Sequence, residues 1–404
     1  MIRFFNDFFA SIYTALRQPL ETFIKLETAD DETTLVAGDG SLVTLVRIDG
    51  AKRLVGDEEF QNIIEQAKIK IGSRLDRPGY ALQFYFMRDP SRVRGELDTI
   101  MRPNRAAASN IGLELQDLFD ERARHLSKYL AWEECYVVVW TRPTALTKSD
   151  IQREVKEKKE IKWVKANNAQ FPFAAMNSLR TRHRSFVTSV KTALDDLGIR
   201  ARIIEVHAAL QSIKTSLAPG HPARQWRACL PGDPIPAREP RSRKDYSDVL
   251  WPPLARQLCT EDAQVISQTR IRIGNQIWSP IDMVLGPSEP TEFPRLLKRL
   301  AEYDLSFRIS FLIESGGTNG AGLRRFLTSV IGFTAAENIL IKNSLQALDA
   351  LSKSEPVVRL RVSAATWCSA DLPEEKIDEQ AAIVMQAIEG WGQCQVSQLM
   401  GDPI

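Results

Sequence analysis

Twice along this 404-residue chain the same succession of patterns occurs: a tight hairpin, a helix, a strand, a helix, a strand and a closing helix. In the first half, residues 33–37 and the alternating run 42–48 flank the turn Gly38-Asp39-Gly40-Ser41, a hairpin signature. A 3.6-residue periodicity then predicts a helix over 57–74, followed by a strand at 80–87, a helix at 111–130, a β-rich run at 135–140, a helix at 174–197 and a strand at 202–206. In the second half a hairpin over 270–273 and 277–285 turns at Gly274-Asn275-Gln276. The rest reads as a helix at 291–303, a strand at 307–313, helices between 322 and 351, a strand at 357–365 and a helix at 374–389.

Long crossovers between strands favour helices packed on a sheet face. The expected class is therefore α/β in the α+β sense: two related ferredoxin-like split β-α-β lobes, formed by duplication. Between the halves, residues 219–253 hold eight of the chain's 21 prolines, and proline lacks the backbone donor that helix and sheet require. The expected division is an amphipathic helix at 1–20, a first lobe at 21–218 with a charged insertion near 148–168, a Pro-rich linker at 219–256 and a second lobe at 257–404.

The terminal helix is expected from Phe4, Phe5, Phe8, Phe9 and Ile12, which fall on one stripe. Arg3 and Arg17 are its only cations, so it reads as a docking face for protein, its own or a partner's, more than as an electrostatic membrane anchor. The chain carries 53 basic and 51 acidic side chains, so no global field points to nucleic acid, and any such surface is local. The local candidate is the run 148–165, where Arg153, Lys156, Lys159 and Lys162 interleave with Glu154, Glu157 and Glu160. Mixed signs suit a solvated helix first and a nucleic-acid contact second. Arg180, Arg182, His183 and Arg184 add a second basic cluster.

Catalytic motifs are sparse. The segment Gly316-Gly317-Thr318-Asn319-Gly320-Ala321-Gly322 follows a strand, as a phosphate loop would. However, Leu323 and Arg324 stand where nucleotide-binding loops need Lys and Ser/Thr. The four histidines are scattered singly, and the five cysteines lie far apart, which suits free thiols in a reducing compartment. No stretch of about 20 apolar residues, the length of a membrane span, is present. Catalytic, metal and cofactor-binding residues are therefore expected to be none in this chain.

The stretch Ile277-Trp-Ser-Pro-Ile-Asp-Met-Val-Leu-Gly-Pro-Ser-Glu-Pro, followed by Phe307-Arg-Ile-Ser-Phe-Leu-Ile-Glu-Ser-Gly-Gly, resembles the amino-terminal half of the TraU/IcmB/DotO family. The run Leu26-Glu-Thr-Ala-Asp-Asp-Glu-Thr-Thr-Leu-Val-Ala-Gly-Asp-Gly-Ser-Leu-Val-Thr-Leu-Val-Arg-Ile-Asp-Gly resembles that family's opening hairpin. These are ATPases of IncI-type conjugation and type IVB secretion. The resemblance implies a non-catalytic assembly domain whose parent protein carries a RecA-like domain beyond Ile404, with ATP and Mg as that domain's cofactors. It also implies a homo-oligomer, hexameric in the family, seated in the cytoplasm against inner-membrane secretion-complex components, with DNA as an indirect partner. The expected outcome is that the 404-residue chain alone hydrolyses no ATP. Turnover above background in a phosphate-release assay, abolished by substituting Gly317 or Gly322, would reverse that expectation.

Overall fold

The computed structural model describes residues 21, 24–72, 74–75, 77–160, 177–219, 226–231, 233, 252–261, 263–287, 293–315 and 358–398. The aromatic stripe at Phe4 to Ile12, the glycine-rich run from Gly316, the helices expected at 322–351 and much of the proline-rich stretch lie outside these residues.

The first half begins with β1 (Leu26–Ala29), β2 (Leu35–Ala37) and β3 (Leu42–Ala51). Helix α1 (Asp57–Gly72) leads to β4 (Tyr80–Asp89), and helices α2 (Val93–Asn110) and α3 (Gln116–Leu126) lead to β5 (Trp132–Thr141). Helices α4 (Lys148–Glu160) and α5 (Asn177–Asp196), strand β6 (Ile199–Ile203), α6 (Val206–Leu217) and the short α7 (Leu254–Leu258) complete it. The second half contains β7 (Ala263–Val265), β8 (Ile271–Ile273), β9 (Gln276–Leu285), α8 (Phe293–Ala301), β10 (Phe307–Glu314), β11 (Arg359–Ser369), α9 (Glu375–Glu389) and β12 (Gln395–Ser397).

The twelve described strands form one antiparallel sheet in the order β1, β2, β3, β5, β4, β10, β11, β9, β8, β7, with β6 also paired to β3 and β12 to β9. Across the first half the order is β6, β3, β5, β4; across the second it is β12, β9, β11, β10. The halves meet at β4 and β10, in an unbroken register from Phe307 opposite Arg88 to Glu314 opposite Ala81, with Phe84 directly facing Phe311. Side chains fasten both ends of this seam. Ser306 donates to Asp89 at 3.0 Å at one end, and Arg142 pairs with Glu314 at the other. Between them Gln83 donates to Ser310 at 2.8 Å. Backbone hydrogen bonding thus joins the halves directly, in addition to the proline-rich connection.

Strand alternation sorts the core into two layers. On one face Val46, Val137, Val139 and Leu82 pack under Phe186, Val187, Val190 and Leu194 of α5. The same face of the second half sets Ile281, Phe307, Ile309 and Val362 under α8 and α9. Phe84 belongs to both clusters, so the helical layer is continuous across the seam. On the opposite face Val43, Leu45, Tyr136 and Val138 lie under α6. Ala228, Leu230 and Leu254 join that cluster, so these parts of the stretch anticipated as a linker at 219–256 are core of the first half, and Leu258, anticipated in the second lobe, joins them there. Also on this face is Arg308, 9% exposed, its guanidinium 4.6 Å from the Trp278 ring centre and donating to the Ser216 carbonyl at 2.8 Å. Burial pushes its pKa down from the ordinary arginine value, opposed by the neighbouring Tyr85.

Two local readings change. The helix expected at 111–130 is confined to 116–126, and a separate helix, 93–110, precedes it. Gly112, at φ +74, ends α2 with Leu113 N–H returning to the Ala108 carbonyl at 2.9 Å, a left-handed helix stop. Helix α2 buries Val93, Met101 and Ala108 on one face, but Pro103 lies inside it and reads as a helix breaker in the sequence. The strand expected at 202–206 lies at 199–203: Gly198, at φ +75, ends α5 and releases the chain into the sheet at once. Val206 instead opens α6, its amide bonded to the Glu32 carbonyl at 2.8 Å.

Phe307 is fully buried beside the seam. Its ring lies 5.9 Å from that of Phe86. Phe307→Ala is expected to cost about 3–5 kcal/mol, read as a lowered urea midpoint at unchanged slope. A loss under about 1 kcal/mol would mean that the seam does not rest on this packing.

Candidate functional site

Helix α5 carries two adjoining cavities on its amino-terminal half. The first, about 230 Å³, opens between the turn after α1, the start of β4 and one face of α5. Arg74 and Arg77 enter from the turn, Tyr80 from the strand, and Thr181, Arg182 and Ser185 from the helix. Thr181 and Ser185 are four residues apart and Arg182 and Ser185 three, the spacing that places side chains on one helical face. Phe186 closes the floor, meeting Tyr80 edge-on with ring centres 4.8 Å apart. No carboxylate lines this cavity among the described residues.

Gly79 sets the entry of Tyr80. It sits at φ +87, and a Cβ there would fall 2.3 Å from the Ala145 backbone nitrogen. Only glycine tolerates both the left-handed conformation and that close approach. The Gly79 carbonyl accepts from Arg142 N–H at 2.7 Å, tying the turn to the end of β5.

The second cavity, about 450 Å³, shares Thr181 and Arg182 with the first and lies between α4 and the start of α5. Its acidic wall is Asp150, Glu154 and Glu157. Asp150 accepts from the Thr147 amide at 3.0 Å and hydroxyl at 2.7 Å, while Thr147 Oγ1 accepts from the Asp150 amide at 3.2 Å. This reciprocal pair, three residues apart, is a capping box that starts α4. Asp150 also accepts from Arg153 at 2.9 Å and Arg182 at 2.7 Å. Hydrogen bonds from Thr147, then from Arg182, hold its carboxyl well below the usual range. Burial alone would lower Arg182; bonds to Asp150 and Tyr80 outweigh it, so this guanidinium sits above the ordinary arginine value.

These contacts place the sequence candidates. Arg153 is engaged with Asp150 and, at 2.6 Å, with the Ser178 hydroxyl. Glu154 is buried and accepts from the Ser178 amide at 2.7 Å, satisfying a free donor at the start of α5. Helix α4 is thus fastened to α5 by the charges that suggested a solvated rod, and Arg153 meets protein. Lys156 is exposed. The Lys159 side chain, Lys162 and the Phe4, Phe5, Phe8, Phe9 and Ile12 stripe lie outside the described residues. The basic cluster on α5 disperses: Arg180 pairs with Asp30, Arg182 with Asp150 and Arg184 with Asp31.

His183 faces the sheet. Its Nε2 lies 2.9 Å from Thr44 Oγ1 and its Nδ1 2.9 Å from Thr141 Oγ1, bridging β3 and β5 to the helix. Among the described residues no three His, Cys, Asp or Glu side chains converge as metal ligands, and no helix is long and apolar enough to cross a membrane. The arrangement offers fixed cations and hydroxyl donors, suited to holding a ligand by charge and hydrogen bonds. Sequence reading missed Arg74, Arg77, Tyr80, Thr181 and Ser185, which stand over a hundred positions apart in two groups; the face spacing of 181, 182 and 185 is the one trace they leave.

Comparison with protein-family models found no match for the chain, and comparison with curated proteins found none either.

Burial pushes the His183 pKa down to about 4, with Asp31 opposing and Arg184 assisting. The folded state therefore favours the neutral ring, and the stability it contributes is complete above the unfolded pKa of about 6.5. Stability is expected to fall as pH drops from about 6.5 towards 4, by up to about 1.4 kcal/mol per pH unit. His183→Gln should flatten that slope in urea titrations; an unchanged slope would assign the pH dependence to other groups.

Proposed function

We propose that this chain is the non-catalytic assembly half of an ATPase of the TraU/IcmB/DotO type, built from two duplicated ferredoxin-like lobes fused at their edges. The shared strand order of the two halves supports the duplication: in each, the first strand of the unit lies between the fourth and the third, and the second lies outermost. The outermost strands, β4 and β10, pair with one another. The resemblance at 26–50, 277–290 and 307–317 supports the family reading. ATP and Mg belong in this reading to a RecA-like domain of the parent protein, and the site of action is the cytoplasmic face of an inner-membrane secretion complex.

The observation that carries the assembly role is the helical pair between β4 and β5. It is anchored at its base, where Arg92 donates to Glu96 at 2.7 Å and to Glu134 at 3.0 Å, beneath Trp132. Beyond that base Ile100, Ile111, Leu113, Leu118, Tyr129 and Leu130 are 47–74% exposed. Large apolar side chains gathered on one projecting element mark an interaction surface. The partners of this surface are copies of the chain and components of the secretion complex.

Combined Ile111→Asp and Leu118→Asp substitutions should weaken self-association by at least about tenfold in analytical ultracentrifugation, with the circular dichroism and unfolding midpoint unchanged. Unaltered association would remove the hairpin from the interface, and a wild-type chain that stays monomeric at high concentration would overturn the self-assembly reading.

A further inference from the structure

We propose that the cavity between Arg74, Arg77 and Arg182 is a binding site for a terminal phosphate group, that is, a phosphomonoester dianion. The proposal is independent of the family assignment and of the helical hairpin.

Charge selects the ligand. Among the described residues Arg74 and Arg77 form no ion pair, whereas Arg182 is shared with Asp150. Two guanidinium groups are thus left over there, facing a space that no carboxylate lines among the described residues. A phosphomonoester carries up to two negative charges near neutral pH and three acceptor oxygens. Guanidinium forks match those oxygens in pairs, and the hydroxyls of Ser185 and Tyr80 supply further donors at the wall, while the Thr181 hydroxyl is committed to the Asn177 carbonyl at 2.8 Å. A carboxylate brings one charge and two oxygens, leaving an arginine unneutralised. A phosphodiester also brings one charge, and its two ester arms must leave the space again.

Position strengthens the fit. Asp150 fixes Arg182 from behind at 2.7 Å, so that guanidinium is oriented before any ligand arrives. Tyr80 and Phe186 give the cavity an aromatic floor, and an apolar boundary strengthens the charge interactions above it. Arg74 and Arg77 are exposed, so they are free to close on an anion and are not holding the fold.

The test is calorimetric titration of the 404-residue chain with inorganic phosphate at constant ionic strength, with dimethyl phosphate as the diester probe. Saturable phosphate binding is expected, weakening as pH falls and the dianion takes up a proton. Dimethyl phosphate should bind at least about tenfold more weakly. The double variant Arg74→Gln, Arg77→Gln should lose at least about tenfold in phosphate affinity, with its ligand-free unfolding midpoint unchanged. Ser185→Ala, at an exposed position, is the second variant and should weaken binding without disturbing the fold. Absence of saturable phosphate binding, equal affinity for dimethyl phosphate, or wild-type affinity in the double variant would each overturn the assignment.

Discussion

The pairing of β4 with β10 is the constraint on which the remaining architecture depends. Each strand would otherwise be the outer edge of its own half, with a row of unpaired amides and carbonyls open to foreign strands. Pairing them satisfies both rows at once and extends the core across the join through Phe84, Phe86, Phe307 and Phe311. The register is held by which side chains face the helices. A one-residue slip would turn Phe84 and Ile309 away from the helical layer and bring Tyr85 and Arg308 into it. Burying Arg308 on the other face, stacked on Trp278 and bonded to Ser216, raises the cost of such a slip, because a guanidinium among phenylalanines would lose both partners.

The candidate site takes its geometry from that frame at one remove. Helix α5 lies across β3 and β5, and His183 between Thr44 and Thr141 sets its rotation about its own axis. With the apolar and His183 faces turned inward, Thr181, Arg182 and Ser185 necessarily point along the flank, towards the turn that Gly79 forces. The acidic residues of α4 then fix Arg182 from the other side. Buried packing and surface electrostatics therefore meet in a single helix, and few of its residues serve one purpose only.

Much of the fold was legible in the order of patterns along the chain. The hairpins at Gly40 and Gly274, the amphipathic α1 and α9, and the β-branched β5 follow from local chemistry alone. What was not legible has identifiable physical causes. Helix α2 holds Pro103 in its interior, and a proline there reads as a helix breaker in a sequence. Most described side chains of α4 are exposed, but its two buried acids have partners that local sequence does not reveal: Glu154 accepts from a backbone amide 24 positions away. The seam pairs strands more than 200 positions apart, and local periodicity carries no information about partners at that distance.

Phe84 facing Phe311 at the centre of the seam places a local two-fold axis between them. In a dimer of separate chains such an axis would be enforced: every substitution would appear twice, and any pocket would come in pairs. Covalent fusion removes that obligation. One half can acquire arginines in a turn while the corresponding turn of the other half takes up a different task. Symmetry is then required only where the two backbones pair. The described arginine cavity lies in the first half, on a turn whose side chains the pairing of β4 with β10 leaves unconstrained.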